Sequence, residues 1–418
     1  MTKMKTSLSP LLVSAMLLAC SSKASPKFPT PDGDANETRT DTSADSDGGE
    51  SHTDTGAKGD GKCPQGAYAH EDGLCYCQAD VPNVCDDVCV DNMTDPDHCG
   101  DCATKCGPTQ GCNAGHCGAA PTTLIPAAAG CGALHLAWAG GTLYWTDRDH
   151  GTVKGLSTTA GTAITVASNQ MTPTLIAASG AALYWLESGA KRIMKATLPD
   201  GAPAPVATSS DAIGGFVVSP DGNTIYFSAG KVVNKTTTAG GGAVTEVGHE
   251  DSGIPGALAL DGANIAFATH INGDVDVMTI VAGTPSVCAS VDSTTATNAN
   301  CARIGRSQDG LFYDTMYAMN GKAYWAAADG VQTASEVPSD GFNDRVGSAK
   351  AGNVGAFAIL GTSTVFYSDD AFLLKAPLMA NAPVSVWARA QPMSTSIALD
   401  ATKVYWATSD CAVMAMPQ

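Results

Sequence analysis

The chain has 418 residues, room for two or three domains, and its 44 % apolar content is ample for a large core. Only 15 % of the residues are charged, while 45 glycines suit many short strands joined by tight turns. A net charge of −18 argues against nucleic acid and against adsorption to anionic lipid, both of which need clustered Lys and Arg, and fifteen cysteines argue for an oxidising compartment.

Lys3 and Lys5 precede an apolar stretch from Leu8 to Leu18 that is broken only by Ser9, Pro10 and Ser14. The stretch is too short to span a bilayer as a helix, so residues 1–19 read as a signal peptide. It ends in Leu17-Leu18-Ala19-Cys20, which resembles a bacterial lipobox. The resemblance implies that Cys20 is lipidated and that the mature chain is anchored to a membrane of the bacterial cell envelope. Each buried acyl CH2 contributes about 0.8 kcal/mol, so several chains hold such a protein firmly. Ser21 in place of Asp points, by the same resemblance, to the outer membrane or cell surface. The competing reading is a plain secretory signal with an unmodified cysteine.

Residues 20–62 form an acidic tether, with nine Asp and Glu between Asp32 and Asp60 against Arg39 and Lys58. Burial there cannot offset the entropy of ordering, and like charge keeps the segment extended. A calcium site in this run lacks fixed ligand spacing. Residues 63–118 then change character. Ten cysteines follow: Cys63, Cys75, Cys77, Cys85, Cys89, Cys99, Cys102, Cys106, Cys112 and Cys117. An even count, export and a module too small for its own apolar core predict five disulfides, of unreadable connectivity. The competing reading is zinc at Cys99-Gly100-Asp101-Cys102 with His98 and His116. That core, with the ending Cys112-Asn113-Ala114-Gly115-His116-Cys117, resembles the stigma-specific-type cysteine-rich repeat of bacterial surface proteins, which implies no activity.

Residues 121–418 repeat. An aliphatic residue followed by two aromatics recurs at Leu143-Tyr144-Trp145, Leu183-Tyr184-Trp185 and Ile225-Tyr226-Phe227. It recurs again at Ala323-Tyr324-Trp325, Val365-Phe366-Tyr367 and Val404-Tyr405-Trp406, and in weakened form at Ile265-Ala266-Phe267. Copies lie about 40 residues apart, except for 58 between Ile265 and Ala323. That period, with short β-branched runs cut by Gly and Asp, predicts an all-β fold: a β-propeller of seven blades, with six as the alternative count. Continuous apolar inner strands such as Ala257-Leu258-Ala259-Leu260 predict sheets covered on both faces, and the aromatic pairs are read as blade-to-blade packing. Tyr144-Trp145-Thr146-Asp147 resembles the YWTD motif of receptor-type propellers. The other copies depart from it, and those propellers have six blades. The chain therefore resembles secreted bacterial propellers more broadly.

The final repeat ends one strand short of a blade, and Thr122-Thr123-Leu124-Ile125 is placed to supply that strand. This closure would set Cys131 beside Cys411 and predicts a disulfide between them. Cys288 and Cys301 are expected to pair across the insertion that makes the long gap.

No nucleophile elbow, HExxH or phosphate loop is present, so no catalytic residue is assigned. His135, on an inner strand, and the turn Asp147-Arg148-Asp149-His150 are the most suggestive positions. Acids follow the aromatic pair in six repeats: Asp147 and Asp149, Glu187, Asp274 and Asp276, Asp329, Asp369 and Asp370, and Asp410. They are expected on one face, either as turn formers or as an acidic ring that attracts calcium or a basic partner. The expected role is recognition of a protein or glycan ligand by a membrane-anchored propeller. The alternatives are a metal-assisted propeller lactonase or lyase and a structural envelope component. The sequons at Asn36, Asn92 and Asn234 carry no weight in a bacterium.

Overall fold

The computed structural model describes residues 67–69, 75–77, 83–85, 88–93, 95, 97–107, 111–113, 115–127, 134–250, 254–271, 274–281, 286–288, 301–307, 315–327, 330–335, 344–348, 353–370, 372–382, 384–389 and 394–418. Among them the chain is all-β, and seven blades succeed one another along it. Blade 2 shows the plan. Its strands Pro173–Ser179, Ala182–Glu187, Arg192–Thr197 and Ala204–Thr208 pair antiparallel, each with the next, from the channel outward. Turn chemistry makes this local. In blade 1 Ala139 pairs with Thr142 across Gly140-Gly141, both at positive φ, the two-residue turn whose twist matches that of the strands it joins.

Past its first residue the second strand is buried in blades 1, 2, 5, 6 and 7, and in Ala182–Glu187 every residue is buried. Strand alternation sends its two aromatics to opposite faces, so one meets the next blade and the other the preceding one. Tyr144 of blade 1 thus shares an apolar cluster with Trp185 of blade 2, and Tyr184 shares the next with Phe227 of blade 3. The pattern continues through Tyr226 with Phe267, Tyr324 with Tyr367 and Phe366 with Trp406, and the ring closes where Tyr405 of blade 7 joins Trp145 of blade 1. In the weakened repeat Ala266 stands where the first aromatic would be, beside Trp325. The core is therefore a set of wedges between blades.

A second ring was not anticipated. In every blade the fourth strand carries one extra residue against the third, a bulge that falls immediately after Val153, Ile193, Val233, Val277, Val331, Leu373 or Val413 of the third strand. All seven of these side chains are fully buried. Opposite them stand Ala167, Ala207, Gly248, Gly305, Gly347 and Ala388, with Ile125 the exception in blade 7. The small residue leaves room for the neighbouring blade: a Cβ on Gly347 would lie 2.6 Å from the Tyr367 hydroxyl of blade 6.

Blade 7 is built from both ends of the propeller. Ser394–Leu399, Lys403–Thr408 and Val413–Pro417 take Thr122–Ile125 as their outermost strand, as the sequence predicts. The insertion does more than loop out. After the third strand of blade 4, Ser286–Cys288 adds a fifth, parallel strand to the outer edge of blade 3, and the chain returns to form the outer strand of blade 4, Cys301–Ser307. The sulfurs of Cys288 and Cys301 lie outside the described residues.

Before the ring come three short hairpins, Ala67–Ala69 with Cys75–Cys77, Asn83–Cys85 with Val88–Val90, and Gly111–Asn113 with His116–Gly118. Among the described residues four disulfides tie them together: Cys77–Cys89, Cys85–Cys102, Cys99–Cys112 and Cys106–Cys117. Cys99 and Cys102, the two cysteines of the zinc alternative, are spent in disulfides with Cys112 and Cys85 and supply no thiolate, and Cys106 and Cys117, whose sulfurs lie within 4.8 Å of that of Cys99, are likewise bridged. Cys63 and the sulfur of Cys75 lie outside the described residues. Met93, on the loop between hairpins, packs against the cluster that holds Leu374 and Phe372 of blade 6. Among the described residues no helix is long and apolar enough to cross a membrane.

Two outcomes follow from this packing. Ile193→Ala, at a fully buried bulge position, should cost about 2–5 kcal/mol in denaturant unfolding, whereas Ile164→Ala, at a side chain 38 % exposed, should change stability by no more than about 0.5 kcal/mol. Equal losses would show that the bulge ring carries no special share. Cys411 is disulfide-bonded, and none of the four bridges above includes it. Cys131 lies outside the described residues, so non-reducing peptide mapping is the check. A Cys131–Cys411 peptide is expected, and Cys411→Ser should then lose about 4–5 kcal/mol in the chain-entropy model; a different partner for Cys411 would refute this latch.

Candidate binding site: the central channel and the turn face

The turns between second and third strands share a face with the links between blades. The link residue Gln170 donates its amide to Gly151 O at 2.9 Å, and Met171 donates to Glu187 Oε1 at 2.9 Å. The acids after the aromatic pairs sit here, and the described buried ones bond to their own turn or to the adjoining link. Asp147, buried, accepts the His150 amide at 3.2 Å and lies 2.9 Å from His150 Nδ1, with Lys154 Nζ at 3.5 Å. Glu187, fully buried, receives Arg192 Nε on its second oxygen. Asp369, also buried, accepts the Phe372 amide at 2.8 Å, and Asp410 accepts the Thr408 hydroxyl.

Asp149 is exposed and pairs with its neighbour Arg148 at 3.1 Å, and Asp370 is exposed. Asp274 and Asp276 open the third strand of blade 4 with side chains outside the described set, and Asp329 lies outside it altogether. Among the described residues no group of three carboxylates or imidazoles stands at metal-ligand distance. Asp is a good turn former because its side chain accepts from amides two or three residues on, and that is the geometry found. Cys20 lies outside the described residues.

Sequence reasoning missed the acids of the opposite turns. Asp400 accepts the amides of Thr402 and Lys403 at 2.6 and 2.8 Å and the Tyr405 hydroxyl at 2.6 Å. Partial burial pushes its carboxyl up, but these donors outweigh it and hold the group below the ordinary carboxylate range. Asp261 reaches across to the next blade and accepts the Gly321 amide at 2.6 Å. An Asp at these turns was visible in the sequence; which amides it serves was not.

On the axis lies a cavity of about 430 Å³, a volume within the usual range of small-molecule sites. Inner strands of six blades contribute to its wall. Leu175, Phe216 and Met316 supply apolar surface, Ser179 and Thr315 supply hydroxyls, and His135 is the sole imidazole among the described lining residues. No Asp, Glu, Lys or Arg is among them. Tyr317 also lines the cavity, and burial pushes its phenol up to about 12, so it stays protonated as a neutral donor. Of the two positions singled out in the sequence, His135 reaches the channel and His150 sits on the turn face, paired with Asp147.

If the buried acids are turn supports, Asp369→Ala should cost about 1–3 kcal/mol and the adjacent, exposed Asp370→Ala about 0.5 kcal/mol or less. Chelation of divalent ions should leave the melting temperature of the full chain unchanged. A fall on chelation that calcium reverses would show instead that the acids hold a cation.

No family model matches the sequence, and no curated protein matches it. Solved structures do. The virginiamycin B lyase of Staphylococcus aureus superposes with a TM-score of 0.53 at 12 % identity, covering 72 % of this chain and 99 % of that one. Hydrazine synthase of Kuenenia stuttgartiensis reaches 0.54 at 12 % identity, over 70 % and 97 %. U3-55K reaches 0.54 at 12 % identity, over 71 % and 98 %. Three differently named proteins are alike to the same degree, so the likeness shows the β-propeller fold alone.

Proposed function

We propose that the protein is an envelope lipoprotein, anchored through Cys20, whose propeller is a recognition module for a protein or glycan partner. The observation that carries this reading over an enzymatic one is the chemistry of the channel wall. Acid–base or metal-assisted chemistry needs several ionisable groups converging on one point. The described wall offers His135 and no carboxylate, and the described buried acids of the turn face, Asp147, Glu187 and Asp369, are committed to neighbouring amides and cations. The lipobox-like segment and the long acidic tether support a module held off a membrane, where a second contact gains from a high effective concentration. An enzyme of lactonase or lyase type is the second reading, favoured by the placement of His135 on the channel wall.

The anchor is tested first. Cys20→Ser should move the protein from the membrane pellet to the soluble or secreted fraction, and mass spectrometry of the wild type should find acyl mass on Cys20. Identical fractionation of both forms would refute the anchor. Capture from envelope extract with the full mature chain then tests recognition: a saturable protein or glycan partner is expected. Turnover of a lactone that His135→Ala abolishes would overturn the reading in favour of the enzyme.

A further inference from the structure

Each inner strand pairs on one side only, so its other edge faces the channel, and polar groups of the wall must find partners there. Some already have them. Ser219 Oγ accepts the Thr224 amide at 2.9 Å, and Ser396 Oγ accepts the Leu136 amide at 3.0 Å, across the seam between blades 7 and 1. Three hydroxyls on the wall differ. Ser179 of blade 2, and Thr315 and Tyr317 of blade 5, have no protein hydrogen-bond partner among the described residues. Blades 2 and 5 face each other across the ring, so these groups flank the cavity from opposite sides.

A hydroxyl both donates and accepts, so the set fits a ligand with hydroxyl, carbonyl or amide groups. Between the hydroxyls the surface is apolar, supplied by Leu175, Phe216 and Met316. Charge is what the wall excludes. A carboxylate or ammonium entering the cavity would lose its hydration and meet no opposite charge, a cost of several kcal/mol. We propose that the channel cavity binds a small uncharged molecule with amide, carbonyl or hydroxyl groups on an apolar frame, held by Ser179 on one side and by Thr315 and Tyr317 on the other. This rests on the reading of the propeller as a binding module and assigns it a second, small-molecule site distinct from a loop-face partner.

The test uses three probes of one shape, 2-naphthamide, 2-naphthoate and 2-naphthylmethylammonium, titrated calorimetrically into the full mature chain at about pH 8, where an imidazole is neutral. The amide should bind at a single site, and the two ions about tenfold more weakly or worse. The triple variant Ser179→Ala, Thr315→Val, Tyr317→Phe should weaken the amide about tenfold or more. Thr315→Val alone, which keeps its shape, should show part of that loss and serves if the triple variant fails to fold. Equal affinity for all three probes, unchanged affinity in the folded variants, or no binding of any probe overturns the proposal. Amide binding without a partner from envelope extract would leave this site standing while removing the protein-or-glycan reading; the reverse result would remove only this site.

Discussion

Every blade depends on a neighbour against each of its faces. The second strands are apolar on both sides, so a blade standing alone would expose two aromatic-bearing surfaces to water. Burial of apolar area stabilises by roughly 25 cal/mol per Å², and large aromatics bury 150–250 Å² each at most, so the pairs that interlock between blades dominate the energetics. Such packing has no natural end in an open row. The ring must close, and it closes where Tyr405 and Val413 of blade 7 meet Leu143 and Trp145 of blade 1. The strand Thr122–Ile125 adds main-chain hydrogen bonds to that seam, and Leu124 and Ile125 join its apolar cluster. Folding of the propeller's first strand is thereby tied to Val413–Pro417.

That division of labour shapes what the molecule can do. Blade faces are consumed by packing, so chemistry is left to the turn faces, the outer edges and the channel. On the turn faces acids hold the backbone in place, as buried Asp369 does for Phe372 and half-buried Asp400 for Thr402 and Lys403. On the outer edges, the chain covers two of its own. Ser286–Cys288 lies along blade 3, and the cysteine-rich hairpins approach blade 6, where Met93 enters an apolar cluster. An uncovered strand edge is a template for unwanted pairing, so covering it guards against aggregation. The channel remains as a concave space with few ionisable groups. The scaffold constrains none of these places, which is why equal likeness to a lyase, a synthase and U3-55K transfers no activity.

The hairpin module follows a different physical rule. Its segments are too short to bury a core, and covalent cross-links replace apolar area. The close approach of Gly100 and Gly115 shows how tightly the frame is drawn: a Cβ on Gly100 would lie 2.4 Å from Gly115 O, and its φ is +81°. Asn92 and Met93 are held against this frame by the amides of Gly100 and Gly115, at 2.7 and 3.2 Å. Met93 is thus presented by a rigid loop.

Much of this was legible in the sequence. The period of the aromatic pairs, the all-β class, seven blades and the closing strand Thr122–Ile125 are local or periodic facts, because side-chain alternation and turn residues act over a few positions. The bulge ring was not legible, although its residues are in plain view. From the first aliphatic of the motif to the bulge residue the interval runs from Leu143 to Val153 in blade 1 but from Val365 to Leu373 in blade 6, since the intervening turn varies in length. Its constancy exists only in strand register. Disulfide partners were hidden for a similar reason: Cys77 passes over Cys85 to reach Cys89, a choice made by the meeting of hairpins and not by spacing. The channel wall was furthest from view. Ser179, Thr315 and Tyr317 come from blades separated by more than a hundred residues and become neighbours of one cavity only when the ring closes. The sequence by itself determined the repeating strands and their period, which favour seven blades over six; tertiary structure decided which of their polar groups would be left facing one another, because that depends on closure of the whole ring.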